Sequence, residues 1–256
     1  MSNGRPTRNP VPLRRYPATM PQRGLSQLAE AASTRTHDLG LIGRPNQSLR
    51  WLINQGHAGR DPTLLHPDPL HITLTEGTWY FPAGGFDISR GGLVIDGRGV
   101  ATFKRTTTAD TASMLQITAR NVTLRGLRIE DAATTFAAIT TNTAWITIED
   151  CEFVDCFQAL NFGNGNQRYI RRNRITARTT GAAIEFTGTS NTMDVSHNTF
   201  PTFTGSDAIL APNTVTYSTF IGNSCTNVAT DVIDIFGLNN VPDSAVQLNA
   251  GAQRIN

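Results

Sequence analysis

The chain has 256 residues, of which 39% are hydrophobic and 16% charged, and this is enough for one sizeable core. No run of about 18 apolar residues occurs in it, so the sequence predicts no membrane-spanning helix and we expect no contact with a membrane. The first residues, MSNGRPTRNPVPLRRYP, are basic but lead into no apolar stretch, which argues against a cleaved secretory signal.

The small net charge of +2 hides an uneven distribution of charge along the chain. Residues 1–60 carry nine arginines and two acidic residues, a local charge of +7, so the remainder carries −5. We therefore predict that residues 1–45 form an extended, Arg- and Pro-rich docking arm, and that residues 46–256 form the folded body. Guanidinium groups make planar, bidentate contacts to carboxylates and phosphates. The arginines expected to bind a larger assembly are Arg5, Arg8, Arg14, Arg15, Arg23 and Arg35.

Two other interpretations of the arm remain open from the sequence. A basic tail can be solvated and have no partner. Arginine also suits nucleic-acid phosphates, but Tyr16 is the one aromatic residue interleaved with the basic ones, so nucleic acid is the less favoured partner. Within the arm, the stretch LSQLAEAA (25–32) is the one segment whose sequence favours a helix.

The body contains an internal repeat, visible in the segments LRGLRI, IEDCEF, IRRNRI, VSHNTF and FIGNSC. One apolar column of this repeat has successive spacings of 24, 22, 25 and 25 residues, which is typical of a solenoid. Each period holds two or three short alternating strands and no helical periodicity, so the strands can bury their apolar faces only by stacking coil on coil. The sequence therefore predicts an all-β solenoid with parallel sheets around a narrow core. The columns are Leu124, Ile148, Ile170, Val195, Phe220; Ile129, Phe153, Ile175, Phe200, Cys225; and Ile139, Leu160, Ile184, Ile209, Ile233.

Between the first two columns lies a polar column that contains Asn173, Asn198 and Asn223. At an inward-facing bend, each side-chain amide can bond its equivalent one coil away, so we predict a buried asparagine ladder. Cys151 and Cys225 fall on columns that are otherwise filled by buried groups. The three cysteines include no C-x-x-C pair, so they are interpreted as core residues, and no disulfide framework, metal site or cofactor is expected.

With these columns the chain resembles the right-handed parallel β-helix proteins of pectate-lyase-like type, over about residues 46–250. The segments SLRWLINQG, ITLTEGTWYFPAGGFDIS and GGLVIDGRGVATFKR look like the entry segment of phage tailspikes. The resemblance implies a single-stranded β-helix with a short capping helix, a strand that ends in a Gly-x-Trp/Tyr turn, and an I-D-G-x-G turn into the first regular coil. Ser48 can cap the helix, and Leu49, Leu52 and Ile53 on one face would close the open end of the core.

In β-helix enzymes of this family, chemistry usually sits on the outward face of the strand that carries the small-apolar pair. At the corresponding positions here, Asp207 and Asp231 would lie one coil apart, near the separation of a retaining glycosidase pair. Glu185 and Asp234 would lie two coils apart, at about 9.6 Å, the outer limit for an inverting pair. The partner motifs of polygalacturonases are missing, and Asp at a turn commonly accepts backbone N–H bonds, so we expect no catalytic residues. The acidic cluster Glu149, Asp150, Glu152 and Asp155 is interpreted as part of a solvated ion-pair network with Arg171 and Arg172.

Two functions are therefore expected from the resemblance. The first is a structural protein of a phage virion, a homotrimeric capsid-decoration protein or spike assembled in the host cytoplasm, whose arm docks onto the major capsid protein or another virion protein. The second is a small tailspike-like depolymerase or glycan-binding protein that recognises a surface polysaccharide. The β-helix fold occurs in both kinds of protein, so the fold alone does not distinguish these two functions.

Overall fold

Three faces of stacked strands build the body, and the chain passes around them once per coil. The computed structural model describes residues 39–45, 48–55, 70–178, 181–201, 205, 207–213, 215–225, 233–235, 245–247 and 253–255. Within these residues, the first and second faces form one 15-stranded sheet, because two long strands bend around the corner between them. The third face is a separate 8-stranded sheet, and every strand pair is parallel.

The strands are numbered in chain order, and two of them, β5 Leu93–Arg105 and β7 Val122–Asp131, run through both the first and the second face. The other strands of the first face are β1 Leu39–Gly43, β2 Leu70–Leu74, β9 Ile146–Glu149, β12 Gly165–Arg171, β15 Ser190–Ser196, β18 Val215–Thr216, β19 Thr219–Ile221 and β22 Ala245–Gln247. Those of the second face are β3 Gly77–Tyr80, β10 Glu152–Cys156, β13 Arg174–Ala177, β16 Thr199–Phe200 and β20 Ser224–Cys225. Those of the third face are β4 Phe86–Ile88, β6 Leu115–Ile117, β8 Ala137–Thr141, β11 Gln158–Phe162, β14 Ile184–Phe186, β17 Ile209–Ala211, β21 Ile233–Ile235 and β23 Gln253–Ile255.

The registers of these strands confirm the predicted columns. Leu124, Ile148, Ile170, Val195 and Phe220 are successive partners, and their side chains are fully buried. The same column continues upstream through Ile95, Ile72 and Leu41, which the repeat had not revealed. On the third face, Ile139, Leu160, Ile184, Ile209 and Ile233 are also successive partners. The core is therefore a stack of apolar layers, in which each residue covers its equivalent in the preceding coil.

The predicted asparagine ladder is present and fully buried. Asn173 donates from Nδ2 to Asn198 Oδ1 over 2.9 Å, and Asn198 donates from Nδ2 to Asn223 Oδ1 over 3.0 Å. Each Oδ1 also accepts the backbone N–H of the residue one coil before it, and each Nδ2 also donates to a first-face carbonyl. Cys151 occupies the upstream end of this ladder, where its N–H donates to Asn173 Oδ1, and it is buried as predicted.

Two kinds of bend recur along the solenoid, and each contains one residue in the left-handed conformation. Before the ladder this residue is Asp150, Arg172, His197 or Gly222, with φ between 54° and 66°. Where the third face turns into the first, the left-handed residues are Asn121, Trp145, Gln167, Thr192 and Tyr217. Glycine and asparagine adopt this conformation most readily, so larger residues at these bends adopt a backbone geometry that the fold imposes.

The entry end of the solenoid is closed by a helix, α1, that spans Leu49–Gln55. Ser48 Oγ accepts the N–H of Trp51 over 3.4 Å, and Leu49, Leu52 and Ile53 are buried, as predicted for a cap.

Three details of the entry segment differ from the expectation. Leu39–Gly43, placed in the arm by the sequence, is a strand in register with Leu70–Leu74, so the solenoid begins no later than Leu39. Gly77–Tyr80 is a strand instead of a turn, and the I-D-G-x-G residues form an irregular bend inside the continuous strand β5.

Candidate functional site

The positions of the third face predicted to point outward form a single register column, which is polar except at Leu210. Its members are Gln116, Thr140, Asn161, Glu185, Leu210 and Asp234, each in register with the next. Glu185 and Asp234 therefore belong to one column and lie two coils apart, which is about 9.6 Å at the usual strand spacing.

The environments of these candidate carboxylates differ. Glu185 is partly exposed, and its Oε2 accepts a hydrogen bond from Gln158 Nε2 over 3.0 Å. Asp234 is only 5% exposed. Asp207 is partly exposed at the turn that enters the strand β17, where its carbonyl accepts the N–H of Ala183. Asp231 lies outside the described residues, so the closeness of the Asp207 and Asp231 pair stays a prediction.

A shallow depression of about 400 Å³ lies on the same face, nearer the entry end. Hydroxyl and amide side chains dominate its lining, which includes Ser113, Gln116, Thr140 and Asn142 together with the aromatic ring of Phe136. The loop that carries Phe136 is fixed by Asp110, whose carboxylate accepts the N–H groups of residues 134–136. Partial burial raises the pKa of Asp110, but these backbone hydrogen bonds outweigh it and hold the pKa below its usual value. The depression therefore presents hydroxyl and amide groups beside one aromatic ring.

The acidic cluster of the sequence lies on the outside of the first and second faces, where arginines of the neighbouring coil pair with it. Arg172 bonds both oxygens of Asp150 over 2.7 Å, and Arg174 bonds Glu152 over 2.9 Å. The hydrogen bonds from Arg172 hold the pKa of Asp150 below its usual value. Arg171 pairs with Asp194 instead of the cluster. Among the residues that the structure describes, no three His, Cys, Asp or Glu side chains lie close enough to hold a metal ion.

A second depression, of about 580 Å³, lies at the entry end and is more apolar. Leu41, Ile42, Leu74 and Val100 line it, beside the charged residues Glu76 and Arg98. Ile42 is 68% exposed and Val100 47% exposed, and Trp51 on the outside of α1 is 49% exposed. Sequence reasoning missed this surface, because Leu41 and Ile42 lie outside the regular repeat.

The six arginines predicted to bind an assembly, Arg5, Arg8, Arg14, Arg15, Arg23 and Arg35, lie outside the described residues. Their role stays a prediction. The described chain does, however, enter the solenoid at Leu39, directly beside the apolar depression of the entry end.

Comparison with known proteins agrees with the stacked architecture. The family model of a right-handed β-helix region matches residues 85–231, more than half of the chain. No curated protein matches the chain. In the described part of the chain, no helix has the length and hydrophobicity needed to cross a membrane. The register of the faces and this match together identify the chain as a member of the right-handed parallel β-helix family.

Proposed function

We propose that this chain is a structural protein of a phage virion, a homotrimeric capsid-decoration or spike protein that attaches through its N-terminal arm. The observation that carries the proposal is the division of charge, +7 in residues 1–60 and −5 in the remainder. The partner is the major capsid protein or another virion protein, and the chain is located in the virion. Arginine contacts to carboxylates of such a partner give charge-assisted hydrogen bonds.

The body's own charges support a docking role for the arm. On the second face, Lys104 and Arg128 both pair with Glu130, and Arg128 and Arg174 both pair with Glu152. These ion pairs satisfy five charged groups of the second face: Lys104, Arg128, Arg174, Glu130 and Glu152. The arm's arginines are therefore better matched to acidic groups of another protein than to this surface.

The entry end also presents the kind of surface that protein contacts use. Exposed Ile42, Val100 and Trp51 lie at the end where the chain enters the solenoid. Aromatic residues and arginine are enriched at the centre of protein interfaces. The arm and the entry end can therefore engage one partner together.

The test is attachment of the purified protein to phage capsids that lack it. Removal of residues 1–38 should abolish co-sedimentation with these capsids while leaving a folded body. A matched variant keeps the arm's length but replaces Arg5, Arg8, Arg14, Arg15, Arg23 and Arg35 by glutamine, and it should bind at least tenfold more weakly. Wild-type attachment should also weaken with added salt, as expected for exposed ion pairs. Undiminished attachment of both variants would refute the docking role of the arm.

A second candidate function is cleavage or binding of a surface polysaccharide by the third face. The shared column of Glu185 and Asp234 favours it, together with the hydroxyl-lined depression at Phe136. A separation of about 9.6 Å is the outer limit for an inverting carboxylate pair. Release of reducing sugars from host envelope, abolished by Glu185→Gln or by Asp234→Asn, would establish this function. The same assay with Asp207→Asn and Asp231→Asn tests the retaining pair. We expect no release by the wild-type protein.

A further inference from the structure

The depression beside Phe136 has a floor of uncharged side chains from two neighbouring strands of the third face. Gln116 and Thr140 are register partners, and Thr118 and Asn142 follow two residues later on the same side of the backbone. The ring of Phe136 lies at one end of this floor and is 37% exposed. None of the described residues that line the depression carries a formal charge.

The hydrogen-bonding capacity of this floor is only partly used within the protein. Thr118 Oγ1 donates to Asp87 Oδ1 over 2.8 Å, and the hydroxyl of Thr140 also bonds within the chain. In the described part of the chain, the side-chain amides of Gln116 and Asn142 have no hydrogen-bond partner. Each amide offers two N–H donors and one acceptor oxygen. The two amides can therefore bond ligand hydroxyl groups as donors and as acceptors.

A buried arginine holds each of the two walls of the depression. On the side of the second face, Arg105 Nη1 donates to Ala112 O over 2.6 Å. On the side of the first face, Arg168 Nη2 donates to Thr143 O over 3.4 Å, and its Nη1 donates to Ser190 Oγ over 2.8 Å. Ala112 and Thr143 both line the depression, so its walls are fixed from inside the core.

Arg168 is a costly way to fix a wall. Unlike Arg105, it has no carboxylate partner among the described residues, and burial lowers its pKa to about 10. The equivalent positions in the coils before and after it are Ile146 and Met193. The fold itself therefore does not require a cation at this position, and holding Thr143 in place accounts for one.

The charges next to the depression act against an acidic ligand. Asp87 is exposed and is the register partner of Gln116 in the preceding coil. Asp110 adjoins the loop of Phe136 and is ionised at neutral pH, because its oxygens accept three backbone N–H groups. Arg120 is exposed at the next bend but does not line the depression. A neutral ligand escapes the repulsion that these carboxylates exert on an anion.

We propose that this depression binds one sugar ring of a neutral polysaccharide. The apolar face of the sugar lies against Phe136, and its hydroxyl groups bond the amides of Gln116 and Asn142. The volume of about 400 Å³ is within the range of small-molecule sites, and the fixed walls lower the entropy lost on binding. This inference rests on the second candidate function, polysaccharide binding by the third face. It adds the class of sugar and the residues that bind it, and it requires no cleavage.

The first test titrates the free, full-length protein with neutral hexaoses of glucose, galactose and mannose, and with acidic hexagalacturonate, by calorimetry. At least one neutral hexaose should bind, and hexagalacturonate should bind about tenfold more weakly or not at all. Phe136→Ala should weaken the neutral sugar about tenfold, and Gln116→Ala and Asn142→Ala about fivefold each. Tyr80→Ala is the matched control, because Tyr80 is 73% exposed on the second face, and its affinity should equal that of the wild type.

The second test repeats the titration of the neutral sugar with added salt. Its affinity should stay constant, because an uncharged ligand forms no ion pair for salt to screen. Attachment to capsids through the arginines of the arm should weaken under the same conditions. Both titrations use free protein without capsids, so failure here is distinct from failure of capsid attachment.

Three results would overturn the proposal: binding of none of the neutral hexaoses, tighter binding of hexagalacturonate, or equal affinities of the Phe136→Ala and Tyr80→Ala variants. Sugar binding that is lost in Glu185→Gln but kept in Phe136→Ala would also refute this site. That last result would leave polysaccharide recognition by the third face intact, so the two failures can be told apart.

Discussion

At the scale of single residues, the asparagine ladder shows how a solenoid buries polar groups without losing their hydrogen bonds. Asn198 joins four groups: its Oδ1 accepts from the N–H and Nδ2 of Asn173, and its Nδ2 donates to Ile170 O and Asn223 Oδ1. Asn198→Leu removes all four bonds and leaves several buried polar atoms without partners. Each such atom costs about 1–3 kcal/mol, so we expect the free energy of unfolding to fall by at least about 2 kcal/mol.

Chemical denaturation of the Asn198→Leu variant measures this loss. Asn166→Leu is the matched control, because Asn166 is exposed on the first face, and its substitution should change the free energy of unfolding by less than about 0.5 kcal/mol. Equal stability of the two variants would mean that the ladder contributes nothing to the fold.

At the scale of elements, the strand β1 fixes where the solenoid begins. Leu41 is in register with Ile72, and Gly43 lies so close to Leu52 of α1 that an added Cβ would come within 2.8 Å of it. Removal of residues 1–38 should therefore leave the melting temperature of the body unchanged. Removal of residues 1–45 should lower it, because that deletion exposes the edge of β2 and the inner side of α1. Equal melting temperatures of the two truncated proteins would show that β1 adds nothing to the stack.

The same elements show how far the sequence predicts this fold. From Leu124 to Phe220 the spacing stays between 22 and 25 residues, so the columns follow from periodicity alone. Leu41 and Ile72 are 31 residues apart, which breaks the period and hides β1. Periodicity also indicates which side chains point outward, such as Glu185 and Asp234, but not what covers them. Arg105 and Asp131 form a buried ion pair, at 0% and 1% side-chain exposure. A search for apolar columns does not predict this pair, because both residues are charged.

At the scale of the whole molecule, rows of ion pairs that cross from coil to coil link stability to pH. Hydrogen bonds from Lys104 and then Arg128 hold the pKa of Glu130 below its usual value, and Arg172 does the same for Asp150. A carboxylate with a lowered pKa in the folded state takes up its proton at higher pH in the unfolded chain. Its contribution to stability is therefore complete above the ordinary carboxyl pKa of about 4 and is lost as the pH falls below it.

We therefore expect the melting temperature to be nearly constant between pH 7 and about pH 5 and to decline below about pH 4. Glu130→Gln should lower the melting temperature at pH 7 by more than at pH 3, because at pH 3 part of the wild-type contribution is already lost. The variant's melting curve should thus depend less on pH than that of the wild type. Thermal melts of both proteins at the two pH values measure this difference. An equal drop between pH 7 and pH 3 in the two proteins would show that Glu130 does not couple these ion pairs to stability.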